Sequence, residues 1–341
     1  MKTLHIGHYD KFLPKFIQFT NKEFGKEDHF FLMMDKEKKY PHVDVENAKY
    51  ISHKSIFYYI KYLYQAKQII LHGLFEKRLV FLLFLQPWLL KKVYWAIWGG
   101  DLYRYQVLDN KFRTKRYEFY RRFIISRFGH IITLVEGDYD NAKAWYGAKG
   151  KMHKCIMYQS QVYEEMNIIN KKSETINILL GNSASLSNNH IEALEIIKKN
   201  VGDKKVSIYS PLSYGKADYR DRVIKKGKEI FGDSFHPMLD MMPLNEYLDF
   251  LGTIDIAVFN HYRQQAQGNT INLLGLGKKV YLNSYVSPFR LYRELGIKAF
   301  DVKDFKLEPE FSEKPENQRI VAEYFTYDRL KDQWEEIYKS N

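Results

Sequence analysis

The sequence predicts an α/β protein built from two parallel sheets in succession. Short apolar runs alternate with longer amphipathic stretches along the chain, which is the pattern of βαβ units. A length of 341 residues suits two domains. Hydrophobic residues make up 45% and charged residues 28%, so wholesale disorder is excluded.

Nine apolar runs are predicted as strands: Leu4–Ile6, Phe30–Met34, Ile69–His72, Val93–Ile97, Ile131–Val135, Ile176–Leu180, Val206–Tyr209, Ile254–Phe259 and Lys279–Asn283. Helices are expected at His190–Asn200 and Gly215–Phe231, with a single terminal helix at 318–341. The polar stretch Glu164–Thr175 is the predicted linker. It separates a first domain, residues 1–170, from a second, residues 171–341, whose terminal helix can pack back on the first.

Composition excludes several classes of protein. The single cysteine, Cys155, excludes a disulfide scaffold and a multi-cysteine metal site, and it fits a reducing compartment. The N-terminus reads as a first strand and not as a signal peptide. The most apolar stretch, Leu79–Leu90, is too short to span a bilayer and is broken at Gln86-Pro87. It is either a buried core helix or a segment that inserts Trp88 and its neighbours shallowly into one leaflet.

Basic residues are concentrated in the first domain. Residues 1–170 hold 28 basic and 17 acidic side chains, net +11, whereas the remainder holds 25 and 24. This imbalance predicts an anionic partner for the first domain. The basic, aromatic-rich stretch 104–127 contains Arg113, Arg116, Arg121 and Arg122. It is either a solvated helix or an interfacial helix on an anionic membrane surface. Nucleic acid is not expected as a partner, because no motif of the common nucleic-acid-binding modules is present.

Two loops of the second domain are typical of phosphate binding. The strand at 176–180 ends in Gly181-Asn182-Ser183, where glycine permits close backbone approach and the next helix start offers free N–H groups. The strand ending at Phe259 leads into Arg263, Gln264 and Gln265, which offer a guanidinium fork and amides for a sugar. Gly268-Asn269-Thr270 then present N–H groups at a second helix start. Each loop could instead be ordinary solvated surface.

Two residues of the first domain are candidates for proton transfer. Asp101 follows the aromatic strand at 93–97 and the paired glycines Gly99-Gly100, and His72 ends the preceding strand. A carboxylate or imidazole at such a position can take the proton of a reacting hydroxyl. The alternatives are that Asp101 caps a helix and that His72 is a hydrogen-bonded structural histidine.

These loops together resemble glycosyltransferase family 56, the bacterial 4-acetamido-4,6-dideoxygalactose (Fuc4NAc) transferases of enterobacterial common antigen assembly. The resemblance runs along nearly the whole chain and is carried by three blocks: WAIWGGDLY at 95–103, ILLGNSASLSNNHIEAL at 178–194, and residues 246–283, which contain NHYRQQ. Smaller similarities include Pro211–Gly215. The family pattern tends to read Gly-x-Gly-Thr after the paired glutamines, whereas this chain reads Ala266-Gln267-Gly268-Asn269.

The resemblance implies a GT-B fold, in which two Rossmann-like domains face each other across a cleft. The second domain would take a dTDP-sugar, or a UDP-sugar. The first would take a polyprenyl-diphosphate-linked saccharide at the cytoplasmic face of the bacterial inner membrane. By matching position, the resemblance assigns to the donor pocket Gly181, Asn182, Ser183, Tyr214, Arg263, Gln264, Gln265 and Asn283.

Neither a cofactor nor a metal is expected. No Asp-x-Asp lies at a suitable strand end, and Asp138-Tyr139-Asp140 falls in the basic half. The sequence thus predicts a peripheral membrane glycosyltransferase of surface polysaccharide synthesis. The alternatives are a nucleotide-sugar epimerase or hydrolase on a similar scaffold, and a non-catalytic basic protein that binds RNA or membrane.

Overall fold

The computed structural model describes residues 2–34, 40–51, 56–107, 112–165 and 174–340, and it confirms the α/β class. The chain forms two compact units. Unit 1 consists of residues 1–162 and 327–341, and unit 2 of residues 163–326. The predicted boundary at 170/171 lies outside the described residues.

Unit 1 is built on a seven-stranded parallel sheet in the order β3-β2-β1-β4-β5-β6-β7. Its strands are β1 Thr3–His8, β2 His29–Met34, β3 Ala48–Ile51, β4 Gln68–His72, β5 Val93–Ala96, β6 His130–Thr133 and β7 Lys151–Lys154. Its helices are α1 Leu13–Phe24, α2 Ile56–Gln65, α3 Lys77–Leu85, α4 Phe112–Ile125 and α5 Glu136–Tyr146, with α12 Tyr327–Lys339 from the chain end.

Unit 2 is built on a six-stranded parallel sheet in the order β10-β9-β8-β11-β12-β13. Its strands are β8 Ile176–Leu180, β9 Val206–Pro211, β10 Phe235–Met238, β11 Ile256–Phe259, β12 Lys279–Leu282 and β13 Phe300–Asp301. Its helices are α6 His190–Val201, α7 Ala217–Phe231, α8 Leu244–Gly252, α9 Gln267–Gly275, α10 Ser287–Glu294 and α11 Lys314–Tyr324.

The interior strands match the predicted runs, and the edge strands were missed. All nine predicted strands are present, whereas β3, β7, β10 and β13 had not been predicted. Those four strands are the two edges of each sheet. An edge strand has one solvated side, so β7 can read Lys-Met-His-Lys and carries no apolar run.

The single terminal helix predicted at 318–341 is wrong. The segment forms two helices, α11 and α12 Tyr327–Lys339, which are separated at Phe325-Thr326 and belong to different units. In unit 1, α12 buries Trp334 against Phe16, with ring centroids 4.9 Å apart. The buried amide of Gln68 donates to the carbonyl oxygen of Ile337 at 2.9 Å. These contacts make α12 part of the core of unit 1.

The apolar stretch 79–90 is divided between core and surface. Helix α3 ends at Leu85, and a 3-10 helix, Pro87–Lys92, follows the predicted break. Leu79, Val80, Leu83 and Leu90 are buried in the core, whereas Trp88 is 63% exposed. Among the described residues, no helix is long and apolar enough to cross a membrane.

Replacing Trp334 with alanine tests the role of α12. The indole is fully buried and its Nε1 donates to the carbonyl oxygen of Met157 at 3.2 Å. Trp334→Ala should therefore lower the free energy of unfolding of unit 1 by about 3–5 kcal/mol, measured by urea denaturation. Lys339→Ala, on the exposed side of the same helix, should change it by less than about 1 kcal/mol. Equal stability of the Trp334→Ala variant and the wild type would contradict this assignment.

Candidate functional site

The two loops of unit 2 that the sequence predicts to bind phosphate lie side by side. They follow β8 and β11, which are adjacent in the sheet with Leu180 opposite Val258. The strand order changes direction between these two strands. In open parallel sheets this switch point leaves a crevice at the carboxyl ends of the strands, where ligands bind. The fold thus brings together two loops that are some 80 residues apart in sequence.

Asn188 joins the two loops through its side-chain amide. Its Oδ1 accepts the backbone N–H of Asn182 at 2.8 Å and the ring Nε2–H of His261 at 3.0 Å. Its Nδ2 donates to Ser183 Oγ at 3.2 Å and to the carbonyl oxygen of Ser185 at 3.3 Å. Asn188 is 1% exposed, so these bonds replace all of its contacts with water.

Gly181 is required where the first loop leaves β8. It has φ +66°, a left-handed conformation that L side chains rarely adopt. A Cβ here would stand 2.8 Å from Asn188 Oδ1 and closer still to His190 Nε2. The glycine therefore lets the backbone approach these two side chains, as expected for a tight ligand-binding turn.

A second chain of hydrogen bonds runs along the rim of the crevice. The Asn182 side chain donates to the hydroxyl of Tyr214 at 3.1 Å and accepts from Gln265 Nε2 at 3.0 Å. Gln265 Oε1 in turn accepts from Ser187 Oγ at 2.6 Å. Four predicted donor-site residues, Asn182, Ser183, Tyr214 and Gln265, thus occupy one connected network.

Tyr214 reaches this network because the loop after β9 is fastened to the loop after β8. The Ala184 N–H donates to the carbonyl oxygen of Tyr214 at 2.7 Å, and the Lys216 N–H donates to the carbonyl oxygen of Ala184 at 2.8 Å. Gly215 lies so close to Ala184 that a Cβ could not be accommodated. Burial raises the pKa of the Tyr214 hydroxyl, against the opposing effects of its hydrogen bonds with Asn182 and Ser183 and of the Arg263 charge, so the hydroxyl stays protonated and can donate to a ligand.

Arg263 supplies the positive charge of the site. It is half-buried, and its Nη1 donates to the carbonyl oxygen of Gln264 at 3.1 Å. Its charge lies near enough to Tyr214 and His261 to influence the pKa of each. A half-buried guanidinium is suited to pair with phosphate oxygens.

Helix α9 begins beside this arginine, as the sequence predicted. The N–H groups of Gln267, Gly268 and Asn269 lie in its first turn and have no carbonyl of the helix to bond. The Asn269 side chain donates to Tyr247 OH at 2.9 Å. Thr270 is 2% exposed and its Oγ1 donates to the carbonyl oxygen of Ala266. Thr270 therefore stabilises the first turn of α9 from its buried side.

Ala266 occupies a left-handed position, with φ +58°. It stands where the family pattern tends to have glycine. An L residue in this conformation carries about 1–2 kcal/mol of strain. The departure from Gly-x-Gly-Thr thus keeps the turn before α9 and adds strain to it.

Three buried polar atoms in these loops have no hydrogen-bond partner among the described residues: Gln264 Oε1, Gln267 Nε2 and His190 Nε2. Burial lowers the pKa of His190 to about 3. Tyr219 accepts the backbone N–H of His190 and faces its Nδ1 at 3.2 Å. Nδ1 therefore accepts from the hydroxyl, and Nε2 carries the proton. Unpaired buried polar groups are uncommon in folded proteins, so these three atoms are candidates for contact with a ligand.

Asn283 lies at the end of β12, next to the loop after β11. Its Nδ2 approaches Asn260 Oδ1 at 3.5 Å, and its Oδ1 accepts the N–H of Tyr285 at 3.1 Å. Asn260 donates to Glu192 Oε2 at 3.0 Å. Asn283 therefore borders the site through Asn260.

The expectation that Asp101 acts as a base is wrong, because both of its carboxylate oxygens accept hydrogen bonds from the protein itself. Oδ1 accepts the N–H groups of Trp98 and Leu102, both at 3.0 Å. Oδ2 accepts the N–H of Leu74 at 2.9 Å and the indole N–H of Trp95 at 2.7 Å. The residue is 1% exposed. Asp101 thus holds the loops after β4 and β5 together and leaves no oxygen for a substrate.

His72 is likewise structural, contrary to its expected catalytic role. Tyr158 OH accepts the indole N–H of Trp98 at 2.6 Å and donates to His72 Nδ1 at 2.7 Å. His72 Nε2 then donates to His5 Nδ1 at 3.1 Å. Burial lowers the pKa of His72 to about 3. It is 1% exposed and neutral, so it belongs to the core of unit 1.

Arg121 does not reach a membrane. The side chain is fully buried, and its guanidinium donates to the carbonyl oxygens of Leu74 at 2.9 Å and Asp101 at 2.6 Å. Its Nε lies 3.2 Å from Glu118 Oε2. The other expected membrane residues are on the surface: Arg113, Arg116 and Arg122 on exposed positions of α4, and Trp88.

The sequence interpretation missed Asn188, His261 and Ser187, which organise the site. All three stand in or beside the blocks that carry the family resemblance, SNNHI and NHYRQQ. No spacing rule distinguishes a bridging asparagine from a turn asparagine. Their common signal is that each follows a buried strand at the switch point. Among the described residues, no cluster of three His, Cys, Asp or Glu side chains could hold a metal ion.

The two parallel sheets give the chain the fold of the GT-B class of glycosyltransferases. The chain is similar to a UDP-forming α,α-trehalose-phosphate synthase from Burkholderia vietnamiensis, with 9% identity, TM-score 0.64 and 100% of both chains covered. It is similar to Anabaena HepE in complex with UDP, with 8% identity, TM-score 0.68 and 100% of both chains covered. For WaaG, a glycosyltransferase of lipopolysaccharide biosynthesis, the values are 8% and 0.59, over 100% of this chain and 96% of the other.

The chain belongs to glycosyltransferase group 56, the family described as 4-alpha-L-fucosyltransferases. The sequence model of that family matches residues 5–294. This match confirms the family that the three sequence blocks indicated.

Replacing Asn188 with alanine should loosen the whole site. The variant leaves the Asn182 N–H and the His261 Nε2–H buried without acceptors, at roughly 1–3 kcal/mol each. We expect unit 2 to lose about 2–4 kcal/mol of unfolding free energy in urea, and any stabilisation by dTDP in a thermal-shift assay to disappear. Asn200→Ala, at an exposed asparagine of α6, is the matched control. If the Asn188→Ala variant matched that control, Asn188 would not organise the site.

Proposed function

We propose that this glycosyltransferase moves an acetamido-dideoxyhexose of the Fuc4NAc type from a dTDP-sugar to a polyprenyl-diphosphate-linked saccharide. The reaction would serve bacterial surface polysaccharide assembly of the common-antigen type. The enzyme would work as a peripheral protein at the cytoplasmic face of the inner membrane. Membership of group 56 supports the transferred sugar, and the nucleoside diphosphate bound to HepE supports a nucleotide-sugar donor.

The observation that carries the proposal is the meeting of Arg263 and two backbone turns at one switch point. The start of α9 offers N–H groups, Arg263 adds a positive charge, and Gly181 permits close approach to the backbone. A diphosphate needs several donors around its oxygens and at least one balancing cation. The unpaired Gln264 and Gln267 atoms are then available to a sugar.

Arg263 and the α9 amides would also stabilise the leaving group. As the bond between the anomeric carbon and the β-phosphate oxygen breaks, negative charge develops on that oxygen. Fixed donors aimed at that oxygen lower the barrier without reorganisation. We therefore propose transfer without a metal ion, with this guanidinium in the role that a divalent cation would otherwise have.

Arg263→Ala should abolish transfer and leave the fold intact. Loss of one charged donor at a developing oxyanion costs about two to three orders of magnitude in turnover. We expect kcat/KM to fall at least about 100-fold, the dTDP-induced rise in Tm to vanish, and the ligand-free Tm to stay at the wild-type value.

Arg319→Ala is the control, because Arg319 is an exposed arginine of unit 2 whose partners are Glu316 and Glu323 on its own helix. A purified Arg263→Ala variant with wild-type turnover would overturn the donor assignment. A thermal-shift panel of dTDP, UDP and GDP at equal concentrations identifies the base in the same experiment, since the ligand that binds the native state more tightly raises Tm more.

The membrane contact is proposed for one surface of unit 1, formed by α3, the 3-10 helix after it and α4. Its aromatic side chains are neighbours: Phe84 packs against Phe119 and Tyr120 at ring distances of 5.8 and 4.6 Å. Exposed apolar side chains on this surface are Phe81, Leu85, Trp88, Phe112 and Phe119. Exposed cations of α4 are Arg113, Lys115, Arg116 and Arg122. Apolar side chains beside clustered cations are typical of interfacial binding to anionic lipids.

Reversing two of these charges should weaken vesicle binding. Arg113→Glu with Arg116→Glu removes two cations worth about 1 kcal/mol each near an anionic surface. We expect affinity for vesicles of phosphatidylcholine and phosphatidylglycerol to fall at least about 30-fold in co-sedimentation. Lys198→Glu with Lys199→Glu, on an exposed end of α6, makes the same charge change in unit 2 as control. Equal losses in both double variants would mean that only net charge matters and that α4 is not the contact.

A further inference from the structure

Unit 1 has a switch point of its own, between β1 and β4. These two strands are neighbours, and the strand order runs in opposite directions on either side of them. The crevice at their carboxyl ends is where a parallel sheet binds a ligand. The residues that follow β1 are Tyr9, which is buried, and Asp10, which is half-buried. Neither Asp101 nor His72 has an atom available for a substrate, whereas Asp10 does.

The carboxylate of Asp10 is oriented but not saturated. Its Oδ1 accepts the backbone N–H of Phe12 at 2.9 Å and that of Leu13 at 3.4 Å, at the start of α1. Within the described residues, Oδ2 has no hydrogen bond. The contrast with Asp101 is direct: Asp101 accepts four donors on two oxygens, whereas Asp10 is held by one oxygen and presents the other.

Burial makes Asp10 a stronger base than an ordinary aspartate. Desolvation raises its pKa to about 6, against the opposing effects of the two backbone N–H groups and of Lys11. The same burial lowers the pKa of Lys11. A carboxylate with a pKa near 6 is ionised at neutral pH and still accepts a proton readily.

Among the described residues, Lys11 and Tyr158 are the titratable groups whose charges interact with Asp10. Tyr158, at the end of the loop after β7, has its pKa raised by burial and by Asp10, so its hydroxyl stays protonated. His72 is neutral, and its Nδ1 accepts a hydrogen bond from the Tyr158 hydroxyl. Lys11 is the nearby cation that balances the carboxylate.

Aromatic side chains surround this position. Phe12 stacks on Tyr158 with centroids 5.9 Å apart and meets the edge of Trp98 at 5.8 Å. Phe75, which is 39% exposed, lies 6.1 Å from Trp98 and 6.2 Å from His8. Binding sites of this kind combine an aromatic lining with one or two placed polar groups. The rings offer flat apolar faces to a saccharide and limit the access of water to Asp10.

We propose that Asp10 is the catalytic base, and that its Oδ2 removes the proton from the acceptor hydroxyl; this rests on the glycosyl transfer proposed above. The freed oxygen forms a bond to the anomeric carbon of the donor. The bond from that carbon to the β-phosphate oxygen breaks, and its electron pair stays with the departing dTDP. The proton ends on Asp10 and passes to water after product release.

Asp10→Asn is the decisive variant, because an amide oxygen still accepts the N–H groups of Phe12 and Leu13. We expect kcat to fall by about 100- to 10 000-fold with dTDP-Fuc4NAc and a polyprenyl-diphosphate disaccharide, while Tm and the dTDP-induced shift in Tm stay unchanged. In the wild type, kcat/KM should fall as the pH drops through about 6, since the base must be deprotonated. That descent should be absent from the residual rate of the variant.

Asp301→Asn is the matched control. Asp301 Oδ1 accepts the N–H of Lys303 at 3.1 Å, a turn of the same kind in unit 2, and this variant should keep the wild-type rate and pH profile. The base assignment is overturned if Asp10→Asn retains wild-type kcat, or if His8→Gln loses the acid limb and Asp10→Asn does not. Failure of the wild type to bind dTDP and to transfer sugar would instead overturn the proposed function, and the base with it.

Discussion

The hydrogen bonds of the Asn188 side chain are the constraint on which the rest of unit 2 depends. One amide group, excluded from water, fixes the turn after β8 to the loop after β11. Gln265 joins the same two loops at the rim, through Asn182 and Ser187. Together these bonds keep the glycine turn and the loop of Arg263 in one geometry, so the proposed diphosphate site is organised before the ligand arrives.

In unit 1, buried side chains also join neighbouring loops through hydrogen bonds. Asp101 and Arg121 fasten the loops after β4 and β5 to α4, with every hydrogen bond of Asp101 directed inward. The turn after β1 carries a less saturated carboxylate, Asp10, whose Oδ1 alone accepts hydrogen bonds among the described residues. In each unit, one side chain joins the loops at the switch point: Asn188 in unit 2 and Asp101 in unit 1. A second side chain is proposed to contact the substrates: Arg263 in unit 2 and Asp10 in unit 1.

Sequence reasoning succeeded where burial imposes a pattern and failed where two roles share one residue type. Interior strands such as β8 and β11 are buried on both faces and read as apolar runs, so their ends and the loops beyond them could be located. The edge strand β7 carries no such run. The local sequence around Asp101 is compatible with a carboxylate that binds a ligand and with one that accepts four N–H groups of the protein. The positions of Leu74 and Trp95 in the fold determine which role Asp101 has. Arg121 likewise has the composition of a surface cation, and its burial follows from the face that α4 turns to the core.

The most direct measurement of the central claim is a crystal structure of the protein with dTDP. We expect the diphosphate within hydrogen-bond distance of the Arg263 guanidinium and of backbone N–H groups at the start of α9, with the hydrogen bonds of Asn188 unchanged. Nucleotide bound elsewhere on unit 2, or an Arg263 directed away from the phosphates, would contradict it.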